Sequence, residues 1–212
     1  GLFIRRFKKD IQHQVTSASK DRETLRFRCQ ASAVEERAYA RFEDLTFKRL
    51  GQRRGGARLF KTTLEKALFS SPAACIETAQ NRIRKLEADG SPDALADVQG
   101  LAELSRSLQT IKPGDFSKYQ KLLALLNDKG SGLYWTGRDP ADRLVIFTER
   151  IETLKFLKKQ LQTDLKLKKG QVEVLHGTLS DVEQQRIVED FGREDAPVRL
   201  LIASDIAAEG IN

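Results

Sequence analysis

The sequence predicts an α/β protein: a mainly helical segment followed by a partial parallel sheet with helices packed on its faces. Three observations predict it. Apolar residues recur at spacings of three and four through residues 30 to 128, short apolar runs alternate with helical patterns after Gly130, and the loops between them are short. A chain of 212 residues with 40% hydrophobic and 32% charged residues can bury one good core or two modest ones, so one or two folded units are expected. No apolar run approaches the roughly 20 residues that a bilayer crossing needs, so no membrane partner is expected.

Cys29 and Cys75 show no metal-ligand spacing, His13 and His176 lie far from them, and no signal-peptide pattern occurs. These features predict unpaired thiols in a cytoplasmic protein. The net charge of +7 favours a negatively charged partner, nucleic acid first, because lysines and arginines that neutralise phosphates release condensed counterions. A solvated basic surface accounts for that charge equally well.

The chain has no methionine and opens at Gly1 on Leu2, Phe3 and Ile4 followed by Arg5, Arg6, Phe7, Lys8 and Lys9, which suits a piece cut from a longer polypeptide. Leu25, Phe27 and Cys29 alternate with Arg26 and Arg28, the pattern of a short half-buried strand. Ser32 with Glu35 forms a capping-box signature, and Val34, Ala38, Phe42 and Leu45 fall on one face of the helix it opens. A polar break follows at 51–56. Ser71-Pro72 and Ser91-Pro92 each supply a cap and a preset first helical position. The first leads Ile76, Ala79, Ile83 and Leu86, the second Leu95, Val98, Leu101 and Leu104, and a last helix holds Phe116, Tyr119, Leu122, Leu123 and Leu126.

Leu144 to Phe147 is too short for a helix and is flanked by polar residues, so a buried strand is predicted. A helix through Leu154, Leu157 and Leu161 follows. Val172 to Leu175 is the second strand, Ser180 with Glu183 caps a helix carrying Ile187, Val188 and Phe191 inward, and Val198 to Ile202 is the third strand. Function in such sheets collects at the carboxyl ends of the strands, which puts Thr148-Glu149-Arg150, His176-Gly177 and Ser204-Asp205 on one edge. Hydroxyls, an arginine and free helix amides gathered there suit phosphate. Each residue also has a bland reading: a threonine there caps a helix, a glycine makes a turn, and Ser204 shapes the chain after its strand.

The order and spacing of these segments resemble the second lobe of superfamily-two helicases. Val145-Ile146-Phe147-Thr148-Glu149 is similar to their motif four, and Leu175-His176-Gly177 with Arg186 and Phe191 to their LHG segment. Leu201 through Asp205 to Gly210-Ile211-Asn212 is similar to motif five. Phe3 to Ile11 resembles the stretch with which Swi/Snf-type motors enter that lobe, the GIN ending resembles theirs, and Leu64 to Ala74 resembles a helix pair of bacterial Swi/Snf-like helicases. Ala207-Ala208-Glu209 departs from the Gly-Gly pair of eukaryotic remodellers.

The resemblance implies residues 1–20 leading into the second motor lobe, 21–130 as a helical insertion or subdomain, and 131–212 as a RecA-like helicase carboxy-terminal lobe truncated after motif five. It implies nonspecific phosphate contacts to double-stranded DNA from Thr148, Arg150, His176, Gly177 and Ser204. Arg5 and Arg6 join them, with a merely charged start to the lobe equally open. Gly210 and Asn212 would lie near the nucleotide. ATP and Mg2+ are expected in a full-length parent, with its first RecA-like lobe as partner. This chain alone is expected to be inactive, because no glycine precedes a lysine as in a phosphate-binding loop and no Asp-Glu pair occurs. Two other readings stay open: a non-catalytic nucleic-acid- or protein-binding module, and part of a DEAD-box-like RNA helicase. Asn212 and the long helical segment speak against the second.

Overall fold

The computed structural model describes residues 23–52 and 55–204. Helix α1 (Ala33–Glu43) begins at the Ser32 cap, whose Oγ accepts from the Glu35 amide at 3.2 Å while the Glu35 carboxylate accepts from the Ser32 amide at 2.8 Å. Both arms of the expected capping box are made. The same carboxylate is buried and also accepts from the Ser117 amide at 3.2 Å, which fastens α1 to a helix 82 residues further on.

Helix α2 (Gly56–Ser70) has no cap side chain. It starts at Gly55 with φ of 75°, a left-handed conformation that glycine adopts at little cost, so no serine or aspartate marks it in the sequence. At Ser71 the chain turns from α2 into α3 (Pro72–Glu87). Extended backbone there ends one helix, while Ser71 Oγ accepts from the Ala74 amide at 3.1 Å and Pro72 fills the first position of the next. Ser91 repeats the device for α4 (Pro92–Gln109), accepting from the Ala94 amide at 3.3 Å. These four helices enclose a core that includes Leu64, Leu68, Cys75, Ala79, Leu101, Leu104 and Leu108. Buried Asp97 accepts from the Lys48 and Leu50 amides at 2.6 and 3.1 Å, so one carboxylate satisfies the backbone of the 45–50 loop.

Helix α5 (Ser117–Asn127) faces the other way in the packing. Its Tyr119 and Leu126 join Trp135, Leu154, Leu157, Leu161, Leu200 and Ile202 in a second core. Strands β1 (Leu144–Phe147), β2 (Val172–Leu175) and β3 (Leu200–Ala203) form a parallel sheet in the order β1-β3-β2, with α6 (Ile151–Asp164) after β1 and α7 (Asp181–Gly192) after β2. Alternation along β3 explains the layering. Leu200 and Ile202 point into the cluster with α5 and α6, whereas Leu201 and Ala203 meet Ile187, Val188 and Phe191 of α7. All four residues of β3 are buried, as the central strand of a sheet covered on both faces must be.

Four expectations need correction. Strand β1, expected to be buried, is only half-buried and its Phe147 is exposed, because it lies at the edge of the three-stranded sheet. Residues 25–29 form no strand: no neighbouring strand pairs with them, and Leu25 and Phe27 stay exposed. Leu95 is exposed instead of facing the core. The third strand begins at Leu200, because Arg199 sits at the sheet's entrance with its guanidinium donating to the carbonyls of Ala196, Val198 and Glu194. Among the described residues no helix is long and apolar enough to cross a membrane.

Candidate nucleic-acid interface

The register of the sheet assembles the candidate edge. Phe147, Ala203 and Leu175 form one row across β1, β3 and β2, so the residues that follow each of them emerge side by side. Backbone bonds hold the row together beyond its last pair: the Thr148 amide donates to the Ala203 carbonyl at 3.0 Å, and the Ser204 amide donates to the Leu175 carbonyl at 2.9 Å. Thr148, His176 and Ser204 are therefore neighbours, as expected from the pattern of strands.

Their side chains differ in state. Ser204 is buried, and its hydroxyl has no hydrogen-bond partner among the described residues. A buried hydroxyl left so costs about 1–3 kcal/mol, which a tightly packed strand end tolerates where something else satisfies it. His176 is half-buried, and its Nδ1 lies 2.7 Å from Thr178 Oγ1, which fixes the ring over the turn. Gly177 is exposed in that turn. Ser180 then opens α7 with a complete capping box, its Oγ accepting from the Glu183 amide at 3.3 Å. The Glu183 carboxyl is held below its ordinary value by hydrogen bonds from Ser180.

Arg150 sits at the amino end of α6 and makes no cap hydrogen bond. It lines a cavity of about 460 Å³ on the helical unit, together with Arg82 and Lys85 of α3. The Nε of Arg150 is buried without a partner among the described residues. Burial pushes the nearby Cys75 thiol up to about 12, with the Arg150 charge pulling the other way. Sequence reasoning missed Arg82 and Lys85. The spacing Thr78, Asn81, Arg82, Lys85 was a readable signal, since steps of three, one and three residues put all four on one helix face. Gly210, Asn212, Arg5 and Arg6 lie outside the described residues. Among the described residues no three His, Cys, Asp or Glu side chains gather to hold a metal ion.

The helical unit is locked to the sheet unit beside this edge. Thr153 Oγ1 on α6 lies 2.8 Å from Ser70 Oγ and 2.7 Å from Ser71 Oγ, and the Lys118 ammonium donates to the Phe69 carbonyl at 2.7 Å.

A parallel sheet covered by helices on both faces, with hydroxyl and imidazole groups gathered at one row of strand ends, defines an α/β unit of the class in which ligand sites lie at the carboxyl edge. Residues 117–212 match the helicase conserved C-terminal domain, and the parallel three-stranded sheet β1-β3-β2 lies within that stretch. The chain is 29% identical over 141 residues to ATP-dependent RNA helicase DDX42 of Mus musculus and to that of Homo sapiens, an alignment covering 64% of this chain. It spans 13% of the length of those relatives. No solved structure matches the chain.

Proposed function

We propose that the chain supplies the second lobe of an ATP-dependent helicase and grips the phosphate backbone of its nucleic acid at the row Thr148, His176, Gly177 and Ser204. The observation that carries this reading is the buried Ser204 hydroxyl at the end of the central strand, without a partner among the described residues, inside a segment matching the helicase carboxy-terminal domain. Contacts of this kind position a strand without reading its bases. RNA is the favoured substrate, because the curated relatives are named RNA helicases. A Swi/Snf-like motor on duplex DNA is the second reading, favoured by the Gly210-Ile211-Asn212 ending and by the four-helix unit ahead of the sheet. In either case ATP and Mg2+ are held mainly by the first lobe of the parent, with Gly210 and Asn212 completing the nucleotide side.

Ser204→Ala tests the assignment. Its hydroxyl has no described partner, so its removal should not destabilise the fold and should raise stability by up to about 1–3 kcal/mol, while nucleic-acid affinity falls. Unchanged affinity for RNA and duplex DNA alike, measured by fluorescence anisotropy on the folded variant, would refute the phosphate role. Competition between an RNA strand and a DNA duplex of equal phosphate number separates the substrates. Preference for RNA sustains the first reading, and preference for duplex DNA replaces it with the second.

A further inference from the structure

The carboxyl edge of the sheet does not end at Thr148. Two residues later Arg150 lines the cavity on the helical unit, together with Arg82 and Lys85 of α3 and with Asn81, Thr63 and Thr78. No aspartate or glutamate lines this cavity among the described residues, and none of the three cations forms an ion pair there. Arg82 lies over the Phe60 ring with its guanidinium carbon 4.4 Å from the centroid, so one face of the cation is covered and its N–H edges remain free to donate. Leu50, Leu59 and Phe60 form an apolar wall, which lowers the local dielectric and strengthens the pull on an anion that enters.

Three cations at one concavity repel each other, and a fold tolerates that best where an anion completes the set. A guanidinium fork grips two oxygens of a phosphodiester in one plane, and the lysine supports it as a point charge. We infer that this cavity is a second phosphate site, taking the sugar-phosphate backbone of the same nucleic-acid strand after it leaves the Thr148–Ser204 row, with Arg150, two residues beyond Thr148, on the cavity side. The inference rests on the reading of that row as a nucleic-acid edge. Under it the helical unit extends the track, and the Ser70–Ser71–Thr153 hydroxyl cluster holds the extension in register with the sheet.

The experiment compares the 212-residue chain with the double variant Arg82→Gln, Lys85→Gln, using anisotropy of a labelled RNA strand and a labelled DNA duplex at salt from about 50 to about 200 mM. Loss of one to two phosphate contacts should flatten the log–log salt slope by about one to two and weaken binding roughly tenfold at about 0.1 M salt. Arg82→Lys, which keeps the charge, should retain the slope, and thermal melting verifies that each variant is folded. A control pair, Lys168→Gln with Lys169→Gln at the opposite end of the sheet, should leave the slope unchanged. Equal losses from the control pair would assign the effect to net charge and overturn the site. So would a double variant that binds like the parent chain while Ser204→Ala binds weakly, and this result would leave the strand-end row standing. Conversely, weak binding by the double variant beside normal binding by Ser204→Ala would leave a phosphate site at the cavity but remove the row, and so overturn the inference that one strand runs through both. A poly-glutamate peptide that needs Arg82 and Lys85 when nucleic acid does not would make the occupant a protein, against the inference.

Discussion

The helical unit and the sheet unit treat their polar side chains differently. In the helical unit Ser32, Glu35, Ser71, Ser91 and Asp97 each satisfy a backbone amide that would otherwise be orphaned, and Ser105 is the one member with a buried hydroxyl lacking a described partner. In the sheet unit the buried groups without partners among the described residues are on Ser204, Arg150 and Arg143. Two of those three stand at or next to the carboxyl row of the strands. Polar groups that hold a fold together are bonded within it, whereas groups that meet a ligand are held ready and left open. The contrast also explains the link between the units: the bonds that join them run through structural polar groups, not through the open ones.

The strongest way to break the comparison is to empty one core at a time. Leu101→Ala in the helical unit and Leu201→Ala in the central strand each remove a fully buried side chain and should each cost about 2–5 kcal/mol. Ile111 packs against both cores, and Glu35 and Thr153 bridge them, so urea unfolding should show one transition that either mutation lowers. Two transitions, each moved by one mutation only, would make the units independent folders.

A smaller effect is expected at Asp97. Asp97→Ala leaves the Lys48 and Leu50 amides without their acceptor and should cost about 1–3 kcal/mol. Nucleic-acid affinity should not change, because Asp97 belongs to the structural group. A loss of affinity at unchanged stability would blur the distinction between the two units.

The structural group was the more legible in the sequence, and for a physical reason. A cap is a local device: Ser32 with Glu35, Ser71-Pro72, Ser91-Pro92 and Ser180 with Glu183 act within a few residues of themselves, and all four appear in the structure as read. Strand β1 and strand β2 were equally plain, since short apolar runs between polar flanks leave few alternatives. What failed depends on partners far away in sequence. Residues 25–29 alternate like a strand, but alternation needs a neighbour to pair with. Phe27 instead lies under the Lys121 ammonium, 5.9 Å from its ring centre. Helix α2 opens on a glycine and so carries no start signal. The placement of β3 between β1 and β2 follows from packing both faces, which no local pattern records. Of the candidate site, the alignment of Thr148, His176 and Ser204 was readable from strand ends. The direction of Arg150 was not, because a residue at a helix start can turn to either side.

Thr153 sharpens the link between the units. Thr153→Val keeps the shape but removes the hydroxyl shared with Ser70 and Ser71, and should cost about 1 kcal/mol. The groups proposed to bind phosphate remain, so any nucleic-acid binding at low salt should persist. Hydrogen exchange measured along the chain should quicken at the start of α3 and in α6 together. Faster exchange confined to one of them would mean that the hydroxyl cluster does not couple the units.

The smallest expected effect is electrostatic and belongs to the helical unit. Arg49 and Asp89, 40 residues apart, form an ion pair at 2.8 Å, and the hydrogen bond from Arg49 is the chief reason the Asp89 carboxyl falls from 3.8 to about 2. A carboxyl whose value is lower in the folded state contributes stability that is present above its unfolded value. That contribution is lost as pH falls through the folded value. The stability difference between the native chain and Asp89→Asn should therefore be constant near neutrality and shrink between pH 3.8 and about 2. The pair is solvent-exposed, so the difference should be small at any pH and should shrink further in high salt. By contrast Arg193 and Asp195 in the sheet unit are two residues apart and bridge no elements, so Asp195→Asn should leave the melting temperature nearly unchanged across the same range. If Asp195→Asn shows the larger pH dependence, the tertiary reach of the Arg49–Asp89 pair adds nothing, and acid sensitivity does not distinguish the two units.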